Sequence, residues 1–529
     1  MAELNKNIPQ IPAEKFSFIH EGERISDKKF DDKPIGYFKD AWIRFRKNRA
    51  SVVATVIILC IFLYAFIAPL LITNHDSRFM DDTYARKPSR IAWLRDNLGI
   101  MDGGVSREFS EKNLIYALGL GVAAEDWEGK GNLKLDSAMD SPYQPVLEIG
   151  DPETFIDGTR QEQTVWPGRI DSYLEVGFVY KDIEQHQLQD ILAWQEATGK
   201  QLLYPLIADN EWCVDVNNAN YWYKTNARLY PVTVNEWGEA TRLKYKENMV
   251  LEDNYLRDAD GNPVYYKYWG GGSVETAQYR IRVLYYNWFQ YVNDGALPDY
   301  LMGTDSVGYD LALRIAGGIK LSLLVAVSVS LINFVIGALY GAVEGYYGGT
   351  LDLILERISD ILNGVPFIIV ATLFQIHLAK KLGPVPCLLF AYVVTGWIGT
   401  AYRVRTQFYR FKNQEYVMAA RTLGASDSRI IWKHIFPNTL GTLITSSALV
   451  IPGTIMSESM LSFLGIVKLG TADATSLGTL LSDAKGIYVN APHLMLYPAL
   501  VISLLMICFN LFGNGLRDAF NPALRGVED

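Results

Sequence analysis

An all-α polytopic membrane protein of six spans, interrupted by a mixed α/β domain, is the fold class this sequence predicts. Three observations lead to it. The 529 residues are 49% hydrophobic with a mean hydropathy of +0.06, high for a chain that folds in water. Long uncharged runs occur before residue 73 and again from residue 319 onward. Between them, residues 76–300 carry 22 Lys and Arg against 36 Asp and Glu, while the rest of the chain carries 27 against 22. A polar acidic block is therefore set into an apolar chain. That pattern excludes a single soluble enzyme, and also a nucleic-acid binder, which needs a basic surface.

Residues 1–50 are polar, lack the apolar stretch of a signal peptide, and read as a cytoplasmic segment. Residues 51–72 (SVVATVIILCIFLYAFIAPLLI) contain no charge and are long enough to cross about 30 Å of hydrocarbon. Five further spans are predicted at 319–343, 358–379 around Pro366, 385–402, 438–466 and 494–514. Their interiors are almost free of charge, as they must be when an ion at mid-membrane costs about 2.5–3.5 kcal/mol. Asp360 and Glu458 are the exceptions. As intramembrane carboxylates they are candidate pathway groups that contact a peptide or its amine. The plainer reading, favoured for both, is interhelical hydrogen bonding.

Orientation follows from Lys and Arg near the span ends. Lys39, Arg44, Arg46, Lys47 and Arg49 crowd the first span and place the N-terminus in the cytoplasm. Alternation then puts 73–318 outside, with 403–437 and the tail 516–529 inside. The inner loop carries Arg403, Arg405, Arg410, Lys412, Arg421, Arg429 and Lys433 against Glu415 and Asp427, as that orientation requires. The loop between the second and third spans is acidic instead (Glu344, Asp352, Glu356), against the trend.

The block 73–300 is predicted to be an extracellular domain. It holds nine of the twelve Trp, so it has apolar mass to bury and is not disordered. Residues 279–283 (Tyr-Arg-Ile-Arg-Val) alternate and read as a strand; 264–268 and 222–230 also read as strands. Leu188, Ile191, Leu192 and Gln195 sit at helical spacing, with Trp194 on the flank. The rings read as core, in preference to a sugar or peptide platform. Only Cys213 of the four cysteines lies in the block, so no disulfide closes within it, and no CxxC is present.

The usual catalytic signatures are missing. No GxxxxGK[ST] occurs: Gly129-Lys130 is followed by Gly131, and Gly199-Lys200 by Gln201. No HExxH or GxSxG occurs, and the six His are dispersed. The chain is read as no enzyme, with no catalytic residue, metal or cofactor of its own. A transporter without an ATP site uses an ion gradient or borrows an ATPase. The gradient-driven kind needs paired ionisable groups at mid-depth and often inverted repeats, and neither is seen. A membrane-anchored receptor acting through its outer domain is the alternative.

Residues 414–437 (QEYVMAARTLGASDSRIIWKHIFP) decide between these options. Glu415, Met418, Ala419, Ala420 and Arg421 favour a helix. Gly424 fits a helix C′ position, where positive φ costs glycine nothing. Ser426 or Asp427 caps a second helix, which Ile430, Ile431 and Ile435 line and Pro437 ends before the fifth span. Ala419 and Ala420 allow another surface to approach closely.

This stretch resembles the EAA loop of ABC importer permeases, in which two Ala, a Gly four residues on and a Pro thirteen after the Gly recur. Gly303-Thr304-Asp305 with Gly308 and Asp310 resembles the GTDxxGRD stretch of the dipeptide/oligopeptide branch. Gly345-Tyr346-Tyr347-Gly348-Gly349, Leu461-Ser462-Phe463-Leu464-Gly465 and Gly515-Leu516-Arg517-Asp518 with Asn521-Pro522 are similar to the same branch, as is the basic run before the first span. The resemblance covers about 35–75 and 300–525. Met418 stands where the motif has its Glu, with Glu415 three residues earlier, and Tyr309 stands where GTDxxGRD has Arg. Similar permeases join spans 1 and 2 with a much shorter segment than the acidic block.

The resemblance implies the fold of a type I ABC importer permease in the cell membrane. The partners it implies are a second permease subunit, two cytoplasmic ATPases that bind the ATP and Mg, and an extracellular substrate-binding lipoprotein that delivers a peptide. Lipid surrounds the chain and nucleic acid has no part. The resemblance carries ATPase coupling onto Glu415, Met418, Ala419, Ala420, Gly424, Ala425, Ser426 and Asp427, and alternating access onto the spans. Nickel or another small solute is the alternative substrate within the branch. The outer domain is expected to dock the binding protein or cap the pore.

Overall fold

A computed structural model describes residues 36–72, 79–131, 133–135, 140–156, 158, 162–209, 216–247, 249–270, 277–470 and 475–520. Cys213, Asn521 and Pro522 lie outside the described residues. The chain begins with helices α1 (Tyr37–Lys47) and α2 (Arg49–Leu71). They break at Asn48, whose side chain accepts the Ser51 N–H and caps α2. Helix α2 overlies the first predicted span.

The inserted domain follows. Helix α3 (Ala92–Leu98) precedes β1 (Gly104–Ser110), which runs directly into α4 (Glu111–Glu125). After the short β2 (Leu133–Lys134) come β3 (Val146–Ile149), β4 (Glu153–Ile156) and β5 (Glu162–Asp171). Strand β5 pairs antiparallel with β1, β3 and β4 in one sheet. Strand β6 (Phe178–Glu184) runs into α5 (Gln185–Thr198), where Glu184 and Gln187 form a capping box. Past β7 (Leu203–Tyr204), β8 (Val232–Val234), β9 (Ala240–Arg242) and β10 (Val250–Leu251) lie β11 (Tyr266–Gly270) and β12 (Gln278–Leu284). Strand β12 sits between β11 and β6 in a second antiparallel sheet and runs into α6 (Tyr285–Val292). The expected strand 279–283 is β12, and 264–268 overlaps β11.

One expectation for this domain fails on local grounds. Residues 222–230 form no strand: Trp222 plugs the core against Gly119 of α4, and the Asn226 side chain accepts the Arg228 and Tyr230 N–H groups to close a turn. The helical spacing of Leu188, Ile191, Leu192 and Gln195 is that of α5, in which Leu188 and Ile191 are buried and Leu192 exposed. The aromatic rings divide. Tyr84, Tyr173, Tyr204, Trp222, Tyr223 and Tyr300 are fully buried, but Trp93, Trp237 and Trp269 are exposed.

The helical bundle comprises α7 (Leu311–Tyr347), α8 (Gly349–Asn363), α9 (Phe367–Leu382), α10 (Pro384–Thr395), α11 (Ile398–Phe411), α12 (Glu415–Thr422), α13 (Asp427–Arg429), α14 (Phe436–Phe463), α15 (Leu477–Ala484) and α16 (His493–Phe520). Among the described residues five helical stretches are long and apolar enough to cross a membrane, or six if the bent pair α8–α9 is one span. These are α2, α7, Pro384–Phe411, Asp427–Phe463 and α16.

The helices run past the apolar windows. Helix α7 extends both ways beyond 319–343, and α11 continues to Phe411, so the loop opens nine residues after its expected start at 403. The third span is not one rod: it bends by 70° between α8 and α9, at a Gly364-Val365-Pro366 break where proline cannot donate. Pro437 does not end a helix either. Residues Ile430–Ile435 form a π turn in which the Phe436 N–H reaches the Ile431 carbonyl, five residues back. That widened turn carries the chain past the proline into α14.

Glycine spacing fixes how α7 and α11 meet. Gly337, Gly341 and Gly345 recur every four residues on α7, and a methyl group at any of them would strike α11 or its N-cap: at Thr400 and the Trp397 carbonyl, at Ala401, and at Phe408 and Arg405 respectively. The helix backbones therefore approach closely, as small residues at four-residue spacing permit between spans.

The junction of domain and bundle is equally tight. A Cβ on Gly303 or Gly308 would meet the backbone of Lys87 and Asp81, and both glycines have positive φ (79° and 99°). The Thr304 hydroxyl accepts the Lys87 N–H and donates to the Tyr84 carbonyl. Asp310 caps α7 through the Ala312 and Leu313 N–H groups, and burial pushes its carboxyl up to about 6. Tyr309 occupies the arginine position of the resemblance, and Arg314 replaces that charge from one turn into α7: its Nε lies 3.3 Å from Asp305 and its guanidinium 4.8 Å from the Tyr309 ring.

Candidate functional site

The loop between α11 and α14 turns at Gly424. Glu415 opens α12 in its first turn, where the helix dipole favours an anion. Val417 is fully buried and Ala420 half-buried; Glu415, Met418 and Ala419 are exposed. The exposed stretch ends just past α12 in Leu423, 88% accessible, five residues after Met418 at 58%. Gly424 has φ +81°, and nothing lies within 4 Å of the position a Cβ would take. Backbone conformation, not space, is what requires glycine there. Ala425 is half-buried and returns its N–H to the Ala420 carbonyl.

Ser426 and Asp427 depart from the expected cap. Ser426 is the N-cap residue of α13 by its extended backbone, but no side-chain hydrogen bond caps that helix. The Asp427 carboxylate instead accepts the Tyr346 hydroxyl at 2.5 Å, and that same oxygen of Tyr346 accepts from Arg421 Nη2 at 3.4 Å. Below the turn, Val417, Ile430, Ile431 and Ile435 pack with Tyr346 and Ala342 of α7 and with Val404 and Phe408 of α11. The predicted isoleucine face is the buried one. From the α11 side, Lys412 Nζ donates to the Gly345 carbonyl at 2.9 Å and lies 4.0 Å from the Tyr409 ring centroid. Burial pushes this ammonium below the ordinary lysine range.

The acidic residues at the end of α7 and on α8 are not loose charges. Arg405 of α11 makes two bonds to Asp352 at 2.7 and 2.8 Å and two to Glu356 at 3.0 and 3.2 Å, and lies 3.6 Å from Glu344. The Tyr409 hydroxyl donates to Asp352 as well, at 2.6 Å. Such bidentate forks are the stronger class of ion pair.

The two carboxylates of interest are far apart in character. Glu458 is 1% exposed on α14 and accepts the Ser322 hydroxyl of α7 at 3.2 Å and the Ser462 hydroxyl at 3.0 Å. Gly478 of α15 packs beside it. Asp360 is exposed on α8 and pairs with Arg357 three residues earlier, so its partner is on its own helix. It lines a cavity of about 470 Å³ with Glu344, Glu356, Arg403 and Arg405. The residues 415–427 are thus brought together around Gly424, and Asp360 and Glu458 stand outside that group. Among the described residues no three His, Cys, Asp or Glu converge on a metal-sized site.

Sequence reasoning passed over Tyr346, Arg405 and the glycine stripe. The stripe had a signal in its four-residue spacing; the two side chains had none beyond lying in motifs read for other reasons.

Two family models match this chain: the binding-protein-dependent transport system inner membrane component over residues 333–526, and the N-terminal transmembrane domain of oligopeptide transport permease C over 36–88. The dipeptide transport system permease protein DppC of Bacillus subtilis is 42% identical over 229 residues, 43% of this chain and 70% of that protein. The chain belongs to the ABC importer permeases, in their dipeptide and oligopeptide branch. The oligopeptide permease OppC of the same bacterium is 39% identical over 228 residues (43% and 73% of the two chains), and that of Escherichia coli K12 is 40% identical over 225 (42% and 72%). These relatives are permease subunits, transport components and not enzymes. Between the two family matches lie residues 89–332 of this permease, which hold nearly all of the inserted domain.

Proposed function

We propose that this permease forms half of the translocation pathway of an ATP-driven peptide importer, and that the loop around Gly424 is the lever its ATPases push. The build of that loop carries the reading. Its inner face is sunk among α7 and α11 side chains, while Met418 and Leu423 are left exposed. Exposed apolar side chains on a well-anchored helix suit a docking surface. With Met418 in the motif's Glu position, contact to the ATPase is apolar there, and Glu415 supplies a carboxylate one turn earlier.

ATP and Mg belong to the two ATPase partners, since this chain carries no phosphate-binding glycine loop. A second permease subunit completes the pathway, and an extracellular binding protein delivers the peptide. The basic residues at α1 and along 403–433 support cytoplasmic termini and an extracellular inserted domain. The acidic turn weighs little against this, because Asp and Glu steer topology weakly and Asp352 and Glu356 are engaged by Arg405 inside the fold. The inserted domain, held above the outer mouth by the Gly303–Asp310 junction, serves as a docking surface for the binding protein or a cap over the pathway.

The test is purification of the chain co-expressed with its partner permease and ATPases, followed by peptide uptake into proteoliposomes. Expected are a complex containing all these subunits and uptake that requires ATP and binding protein. Peptide movement by the isolated chain, or labelling of cysteines placed at 415–427 from the same side as the inserted domain, would overturn the reading.

A further inference from the structure

A single hydroxyl touches both arms of the loop. Tyr346 lies in the last turn of α7, with its ring buried among Val404, Phe408, Val417 and Ile430. Its oxygen donates to Asp427 Oδ1 at 2.5 Å and accepts from Arg421 Nη2 at 3.4 Å, and the Arg421 guanidinium lies 5.8 Å from the ring centroid. Arg421 stands three residues before Gly424 and Asp427 three after it. At Gly424 itself the turn meets no neighbour, since nothing lies within 4 Å of its Cβ position, and Ala425 beside it rests on the edge of the apolar cluster. Apolar packing alone is non-directional and would let the turn slide under load. With both arms tied to one helix end, the turn moves with that helix.

We propose that Tyr346 is the positioning residue of the coupling loop: its hydroxyl makes the two arms and the end of α7 one body, so that a push on Met418 and Leu423 reaches the spans. This rests on the coupling role given to the loop above. From Tyr346 the displacement passes through Gly348 and Gly349, both at positive φ (66° and 61°), into α8, the short arm of the bent span. Arg405 bonds α8 to α11 through Asp352 and Glu356, so these helices follow together. The hydroxyl touches no substrate and no nucleotide; it acts through the loop.

The experiment uses the assembled transporter in proteoliposomes and reads peptide taken up per ATP hydrolysed. Tyr346→Phe removes the hydroxyl and keeps the ring in its apolar cluster, and is expected to lower that ratio at least fivefold. Asp427→Ala cuts the same bond from the exposed side, so the double variant is expected to be no worse than the weaker single. Parental coupling in Tyr346→Phe, or losses that simply multiply in the double variant, would overturn the proposal. So would loss of the ATPases from the purified complex, because the hydroxyl would then serve docking and not transmission. Cysteine crosslinking between position 418 or 423 and the ATPases separates the two levels. If crosslinks form while Tyr346→Phe couples normally, only Tyr346 is wrongly assigned; if none form in any variant, the coupling role of the loop itself fails.

Discussion

At its first residue α7 is capped by Asp310 and locked by Gly303 and Gly308 against the backbone of residues 81–88; at its last turn it is tied to the Gly424 loop by an apolar cluster and a tyrosine hydroxyl. The first end leaves no room for a side chain and places Asp305 and Arg314 in an ion pair with each other. The second end leaves Met418 and Leu423 exposed. One helix therefore carries a sealed junction and an open one. The sealed end is contact of backbone on backbone, which fixes the inserted domain to the bundle. The open end is side-chain packing on one face only, and this leaves the opposite face free for the ATPase contact proposed above.

The largest expected effect lies at the sealed end. Gly308→Val would place a Cβ against the Asp81 carbonyl at φ +99°. A strained non-glycine conformation costs of order 1–3 kcal/mol, and forced overpacking adds about as much again. The inserted domain of this variant is expected to lose its fixed seat, becoming cleavable by trypsin at the junction, with the yield of folded chain falling steeply. A Gly308→Val chain as resistant to trypsin as the parent would show that the junction is looser than its backbone contacts state.

How much of this contrast could be read from residues alone is uneven, for physical reasons. Six apolar windows show in hydropathy because exclusion of charge from lipid is a local property of the chain. The strand at 279–283 and the helix around Leu188 show by period. The bend at α8–α9 and the π turn before Pro437 do not show, because a proline marks where a hydrogen bond is lost but not how neighbouring turns absorb the loss. The Arg405 fork is invisible for a related reason. Arg405 lies 53 and 49 residues from Asp352 and Glu356 in sequence, so an acidic loop and a basic loop look unrelated along the chain when they are halves of one ion-pair cluster. Gly424 was legible because positive φ is demanded by a turn only a few residues long. Tyr346 was not, since its role depends on where a distant loop folds back.

An intermediate effect is expected at Gly424, and it separates conformation from bulk. Open space surrounds the position, so a side chain there meets only the cost of φ +81°. A left-handed backbone costs most residues roughly 1–2 kcal/mol and a β-branched one more, while Asn tolerates it. Gly424→Val is expected to reduce ATP-driven uptake about tenfold without affecting membrane insertion, whereas Gly424→Asn keeps uptake within about twofold of the parent. Equal losses in the two variants would mean that bulk at the tip, and hence a surface pressed against Gly424 itself, is what matters.

The smallest effect is expected between the two ends, at Glu458. Its oxygens accept two serine hydroxyls, Ser322 from α7 and Ser462 from its own helix, in a site packed closely enough that Gly478 of α15 lies beside it. Glu458→Gln keeps the shape and one acceptor oxygen, so one hydroxyl must share or turn away, a change of about 1 kcal/mol or less when no buried group is left unpaired. Glu458→Ala leaves both hydroxyls without that partner and opens a gap, for about 1–3 kcal/mol. Thermal unfolding of the purified chain is expected to rank them in that order, with peptide preference the same in the Gln variant as in the parent. A Gln variant of parental stability but altered preference for peptide charge would move Glu458 from the contacts that hold α7 to α14 into the pathway itself, and α7 would then carry a third kind of surface between its sealed and open ends.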